Sequence, residues 1–296
     1  MKYAVGIDIG GTNTRVALVS DKYKIEKRVQ FLTDIQSPEN TVNQITREIE
    51  KFQCRIEGIG MSCPGPLKLI SGKILTPPNL PGWHQCMITK MLSAKTGVPV
   101  YLENDANLAA LAEAVLGAGK GKKYVQFLTI STGVGAGFVV DGNIYHGSRG
   151  FAQEVANCIM WKEGPKQGDL MAGSIESISS GTAIVKRAKE RDIRVDHAGQ
   201  IYELAQKGNY DAKDIMEDVK EYLSNFIGMI YGILDPDIVI LSGSVALKIP
   251  GFVEEIQERV CKKVYPALVD NVKIVKAKLD EDCGLIGAAY LAFQNK

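Results

Sequence analysis

Lys2–Ser20, K-Y-A-V-G-I-D-I-G-G-T-N-T-R-V-A-L-V-S, sets one acidic side chain and two glycines between two short apolar runs. Tyr3–Ile9 and Arg15–Val19 alternate with a period near two and are rich in Val and Ile, so both read as strands. Gly10-Gly11-Thr12-Asn13 supplies turn chemistry between them. A strand, a tight turn and a second strand exclude the dinucleotide fingerprint, which needs a helix after its glycines. The G-x-x-x-x-G-K-[ST] phosphate loop occurs nowhere in the chain. A glycine turn between strands still offers backbone N–H groups to phosphate oxygens. Thr12 adds a hydroxyl, and Asp8 adds a carboxylate suited to hydrated Mg²⁺. On these residues alone, an ordinary hairpin with a charged rim fits equally well.

The same plan returns at residues 124–145, Y-V-Q-F-L-T-I-S-T-G-V-G-A-G-F-V-V-D-G-N-I-Y, where Thr132-Gly133 forms the turn. Asp141-Gly142 then closes a further hairpin with a favoured two-residue turn. Two such devices, roughly 120 residues apart, imply two similar halves facing each other, each offering a phosphate-binding turn to one nucleotide in a cleft. The arrangement resembles the sugar kinase, heat-shock chaperone and actin group of ATPases. Within that group D-I-G-G-T-N-T-R, C-P-G-P, P-N-L-P-G-W, E-N-D-A-N and S-T-G-V-G-A-G, in this order, resemble the ROK family of bacterial sugar kinases and related repressors. The resemblance runs from residue 3 to about residue 290.

With 296 residues, 45% of them apolar, the chain is long enough for two ordinary cores. Its 35 basic and 34 acidic side chains leave a net charge of +1 without a basic block, which argues against nucleic acid or an anionic membrane as partner. No apolar run is long enough to span a membrane and Met1 leads straight into a strand, so a cytoplasmic protein is expected. The six cysteines lie far apart without a C-x-x-C pair, the usage of thiols in a reducing compartment.

Further along, Ser37-Pro38-Glu39 opens a helix with Val42, Ile45, Ile49 and Phe52 on one face. A strand over 56–62 ends in Cys63-Pro64-Gly65-Pro66, a forced turn that needs no ligand to explain it. Residues 76–83, with three prolines and a glycine, form an irregular loop. It displays Asn79, and its Trp83 packs against neighbours rather than stacking on a ring. Residues 85–96 form a helix, 98–102 a strand, and Glu103-Asn104-Asp105-Ala106-Asn107 enters an alanine-rich helix. A helix N-cap accounts for Asp105 on sequence alone. The Gly- and Lys-rich 117–123 marks a boundary between a domain 1–117 and a domain 118–283. In the second half, helices are expected over 181–190, 211–234 and 253–264, and strands over 238–241 and 272–275. Ser242-Gly243-Ser244 forms a small-residue turn, and a closing helix over 284–293 belongs to a terminal segment, 284–296, that returns to the first domain.

What the resemblance implies is more specific. The fold is α/β, two actin-like (ribonuclease H-like) ATPase domains around an interdomain cleft, and the activity is ATP-dependent phosphorylation of the 6-hydroxyl of a hexose or hexoside. Asp105 is the catalytic base, while Gly65, Asn79, Asn104, Asp105, Glu154 and Glu176 hold the sugar. Asp8, Gly10, Gly11, Thr12, Thr132, Gly133, Gly243 and Ser244 contact the nucleotide, with Asp8 holding Mg²⁺ through water. The family's G-E-x-G-H segment and zinc knot are altered here: Asn157 stands in the place of the histidine, Ser174 in that of the last cysteine, and no zinc is expected. Loss of that histidine opens the wall near C1 and favours a β-glucoside or glucose as substrate. The alternatives are N-acetylmannosamine, or a sugar-responsive regulator without a DNA-binding domain, since this chain opens directly in a strand. The family's habit implies a homodimer.

Overall fold

The computed structural model describes residues 1–77, 79–279 and 282–295. Pro78, within the proline loop, and Lys296, at the end of the returning segment, therefore lie outside the described residues. The chain forms two compact units. The first comprises Met1–Ala112, His146–Gly150 and Leu279–Lys296; the second comprises Glu113–Tyr145 and Phe151–Lys278.

In the first unit the opening stretch forms β1 (Tyr3–Ile9) and β2 (Asn13–Ser20), followed by β3 (Ile25–Leu32) and α1 (Pro38–Glu50). Ser37 caps α1 by accepting the Asn40 N–H, and Pro38 fills the first turn where no donor is needed. After β4 (Ile59–Ser62) come the short pair β5 (Leu67–Lys68) and β6 (Lys73–Ile74), then α2 (Ile88–Thr96), β7 (Val100–Glu103) and α3 (Asp105–Val115). The helix predicted from residue 85 begins only at Ile88, because Gln85 adopts φ 60°, outside the helical region.

The second unit holds β8 (Tyr124–Ile130), β9 (Val134–Val140), β10 (Asn143–Ile144), α4 (Ile175–Ser179), α5 (Gly181–Lys189), α6 (Ala198–Gln206) and α7 (Tyr210–Leu234). It continues with β11 (Ile238–Ser242), α8 (Gly243–Lys248), α9 (Phe252–Cys261) and β12 (Ile274–Lys276). Asp141 and Gly142 have φ of 50° and 73°, the left-handed pair that a two-residue hairpin turn demands. On α7, Ile215, Val219, Phe226 and Ile230 are buried as their helical spacing predicts.

The two sheets share one topology. The first has strand order β3-β2-β1-β4-β7, the second β10-β9-β8-β11-β12. In each, the first three strands are antiparallel and the last two join in parallel. Parallel pairing aligns carboxyl ends: Asp8 lies opposite Ser62, and Ser62 opposite Glu103. In open α/β sheets ligands gather beyond such ends.

The last helix, α10 (Cys283–Gln294), packs on β1 and β4 of the first unit. The approach is so close that a Cβ on Gly60 would sit 1.8 Å from the Ala288 carbonyl oxygen and one on Gly6 2.0 Å from that of Leu285. Alanines dominate this seam, with Ala4, Ala17, Ala289 and Ala292 buried around Leu285. Among the described residues no helix is long and apolar enough to cross a membrane.

Candidate active site

At the carboxyl ends of β1, β4 and β7 the first unit gathers most of the residues singled out in its half of the sequence. The β1–β2 register puts Asp8 directly opposite Arg15, and the guanidinium donates from Nε (3.0 Å) and Nη2 to Asp8 Oδ2. Ser62 Oγ donates to the other carboxylate oxygen at 2.5 Å. Neither Arg15 nor Ser62 was among the predicted site residues. Arg15 was within reach of the sequence, since an antiparallel hairpin centred on Gly11-Thr12 fixes the pairing.

The turn is closed by the Gly10 N–H donating to the Asn13 carbonyl at 2.8 Å. Neither Gly10 nor Gly11 has positive φ. Gly11 is required by contact: a Cβ there would lie 2.8 Å from the Asn79 Cβ. The proline loop is thereby brought against the glycine turn. Its Trp83 is fully buried and donates Nε1–H to the Asp34 carbonyl at 2.9 Å, a packing role.

At the start of α3, Asn104 Oδ1 accepts from the Ala106 N–H (2.9 Å) and Asp105 Oδ1 accepts from the same N–H (2.8 Å). Asp105 thus does serve as a cap, and more besides. Its side chain is open to solvent, yet the surrounding protein strips enough hydration to raise its carboxyl above the usual carboxylate range, with a further push from the charge of Asp8. Burial likewise raises the Cys63 thiol, with added pushes from Cys86, Asp8 and Asp105. Cys63 is therefore a neutral wall of the cluster, not a nucleophile.

In the second unit the carboxyl ends of β8 and β11 bring Ser131-Thr132-Gly133 beside Gly243-Ser244. Ser131 and Ser244 hydroxyls are 3.4 Å apart. Gly243 has φ 86°, and a Cβ there would lie 2.4 Å from the Ile130 carbonyl oxygen. Only glycine fits both demands. Glu176, expected at the sugar, is brought to this turn: its Oε2 accepts the Val134 N–H at 2.7 Å, and Gly133 lies against the same carboxylate. Thr132 and Ser244 also line a cavity of about 600 Å³ closed by α5, α6 and α8, with Thr182, Val185, Asp196, Glu203 and Lys248 on its walls. Of these walls, Thr182 and Val185 lie on the predicted helix α5, whereas Asp196 and Glu203 lie on a loop and on α6, where no site was expected.

Glu154 is exposed, on the loop that leads to Asn157. Asn157 Oδ1 accepts the Met171 N–H at 2.7 Å, so its amide ties down the loop that stands where the family carries its zinc knot. That loop is pinned by Trp161, stacked on Tyr222 (centroids 4.9 Å, 12° between planes), with the Arg187 guanidinium 5.9 Å from its ring. Among the described residues no three His, Cys, Asp or Glu side chains are grouped to hold a metal ion.

A family model described as "ROK family" matches residues 4–295. The chain belongs to the ROK family. Among its relatives, glucokinase from Thermotoga maritima is 30% identical over 97% of this chain and 96% of that protein. The crystal structure of a ROK hexokinase from Thermus thermophilus superposes with a TM-score of 0.90 at 31% identity, over 99% of this chain and 100% of that one. A ROK glucokinase from Streptomyces griseus, solved with glucose and AMPPNP, matches at 26% identity and TM-score 0.78 over 99% and 100%. The two sheets and their crossing helices are accordingly the α/β, actin-like fold of ROK kinases. The chain is a ROK protein of the sugar-kinase kind, similar to glucokinases.

Proposed function

We propose that this protein is an ATP-dependent kinase acting on the 6-hydroxyl of a hexose or hexoside, with Asp105 as the base. The observation that carries the reading is a carboxyl that is solvent-accessible, raised toward neutrality and held at a helix entrance among the parallel strand ends. Phosphoryl transfer asks chiefly for positioning, charge neutralisation and one late proton acceptor. Asp105 accepts the sugar hydroxyl proton as the oxygen attacks the γ-phosphorus and the bond to the β-phosphate oxygen breaks. Its raised pKa brings the base nearer the operating pH, which is where a base works best.

Gly65, Asn79, Asn104, Glu154 and Glu176 hold the sugar in this reading. Gly10, Gly11, Thr12, Thr132, Gly133, Gly243 and Ser244 meet the nucleotide, and the cavity walled by Val185, Asp196 and Glu203 takes its adenosine end. Both Asp8 oxygens already accept hydrogen bonds, from Arg15 and Ser62. That donor set suits a water-mediated hold on the Mg²⁺ of Mg-ATP rather than direct coordination. When bound, the ion neutralises phosphate charge.

The favoured acceptor is a β-glucoside, with the non-reducing glucose phosphorylated. Supporting this, Asn157 is engaged with the Met171 N–H. Free glucose then loses one oriented hydrogen bond of about 1 kcal/mol, which a β-linked ring offsets by burying its apolar face. An ADP-release assay across glucose, cellobiose, gentiobiose, mannose and N-acetylmannosamine tests both levels. Sugar-dependent turnover supports the kinase. A kcat/KM for cellobiose below about a hundredth of that for glucose, near 2.7 kcal/mol at the transition state, removes the β-glucoside reading alone.

A further inference from the structure

Glu103 is a buried carboxylate, 2% exposed, immediately ahead of Asn104-Asp105. Its Oε1 accepts the Asn104 N–H and the Asn107 side-chain N–H, both at 2.9 Å. Its Oε2 meets His146 Nε2 at 2.6 Å. A carboxylate so fully removed from water is costly unless paired. His146, its ring partner, comes from His146–Gly150, a short piece assigned to the first unit although its chain neighbours on both sides belong to the second. The ring is 41% exposed, at the rim of a cavity of about 500 Å³ whose other titratable walls are Tyr101 and Lys90.

We propose that His146 is the positioning residue of the Asn104–Asp105 corner: it orients and neutralises Glu103, which in turn fixes the Asn104 backbone and the first turn of α3. This rests on the role of Asp105 as base proposed above. The sign follows from the pair. The hydrogen bond from Glu103, which outweighs partial burial, raises the imidazole above its usual 6.5. The charged pair is therefore complete below pH 6.5 and is lost as pH rises through the raised value. Above it the imidazole no longer supplies a positive charge beside the buried Glu103 carboxyl, and the corner loosens. Misplacement of a base by about an ångström costs up to roughly 10²-fold in rate.

The test uses the full chain, whose three histidines make ring NMR titrations assignable. His146 should titrate above 6.5 and move back toward it in Glu103→Gln, whether or not the protein phosphorylates sugar. For turnover with the best sugar of the panel, His146→Gln should lower kcat roughly 10-fold or more at pH 6, with KM within about twofold. The alkaline fall expected of the wild type should be absent from it. His146→Lys, which keeps a cation at higher pH, should restore most of kcat and hold it there. A His146 that titrates normally, or a His146→Gln enzyme with wild-type kcat and pH profile, overturns the proposal. Absence of any sugar-dependent turnover in the wild type instead removes the kinase reading, and the NMR titration still decides the pairing.

Discussion

Asp105 carries two opposed demands that can be measured separately. Folding raises its carboxyl, so the ionised form is the costly one in the folded state. Stability is greatest below the ordinary carboxylate value and falls as pH rises through the raised one. Asp105→Asn keeps an oxygen to accept the Ala106 N–H while removing the charge, so at neutral pH its Tm should exceed that of the wild type. Its kcat should fall by roughly 10² to 10⁴, the usual worth of a positioned base. Calorimetry and turnover on the same preparation check both, and near-normal turnover in a folded variant excludes Asp105 as base. The place of Asp105 at a helix entrance was legible in the sequence, as was the turn at Gly10–Asn13. Ser62, Glu103 and His146 were not, because their roles arise from parallel strand register and from a crossover that no local pattern announces.

The helix α10 and the loop around Trp161 make the clearest cases at the level of elements. A methyl group on Gly60 has no room beside the Ala288 carbonyl, so Gly60→Ala should force α10 off β4 and cost about 1–3 kcal/mol or more in urea unfolding. Unchanged stability there would mean that α10 does not dock as described. Trp161→Ala removes a stacked ring and a guanidinium contact, together worth about 2 kcal/mol, and should loosen Asn157–Glu176 to proteolysis while chelators leave the wild type folded. Long periodic elements such as α1 and α7 were readable to within a residue or so at their starts. β3 was missed because Glu26, Lys27 and Arg28 face solvent in a row, the charged habit of an edge strand, which erases alternation. α8 was missed because six residues are too few to display a helical period.

For the whole molecule, the repeated strand order explains why one sequence device appears twice: each sheet pairs an antiparallel hairpin with parallel strands that follow it. Two binding events should then leave separable footprints in hydrogen exchange. Sugar should protect the amides of Cys63, Gly65 and Asn104–Asn107, and an ATP analogue those of Thr132 and Gly243–Val245. Protection of one set by both ligands would contradict that division. The most direct test of the account is to incubate the protein with Mg-ATP and either glucose or cellobiose and locate the new phosphate by ³¹P and ¹³C NMR. The account predicts sugar-dependent formation of ADP with the phosphate on the 6-oxygen, abolished with Asp105→Asn. ADP formation that is indifferent to every sugar offered, or phosphate on another oxygen, would contradict it.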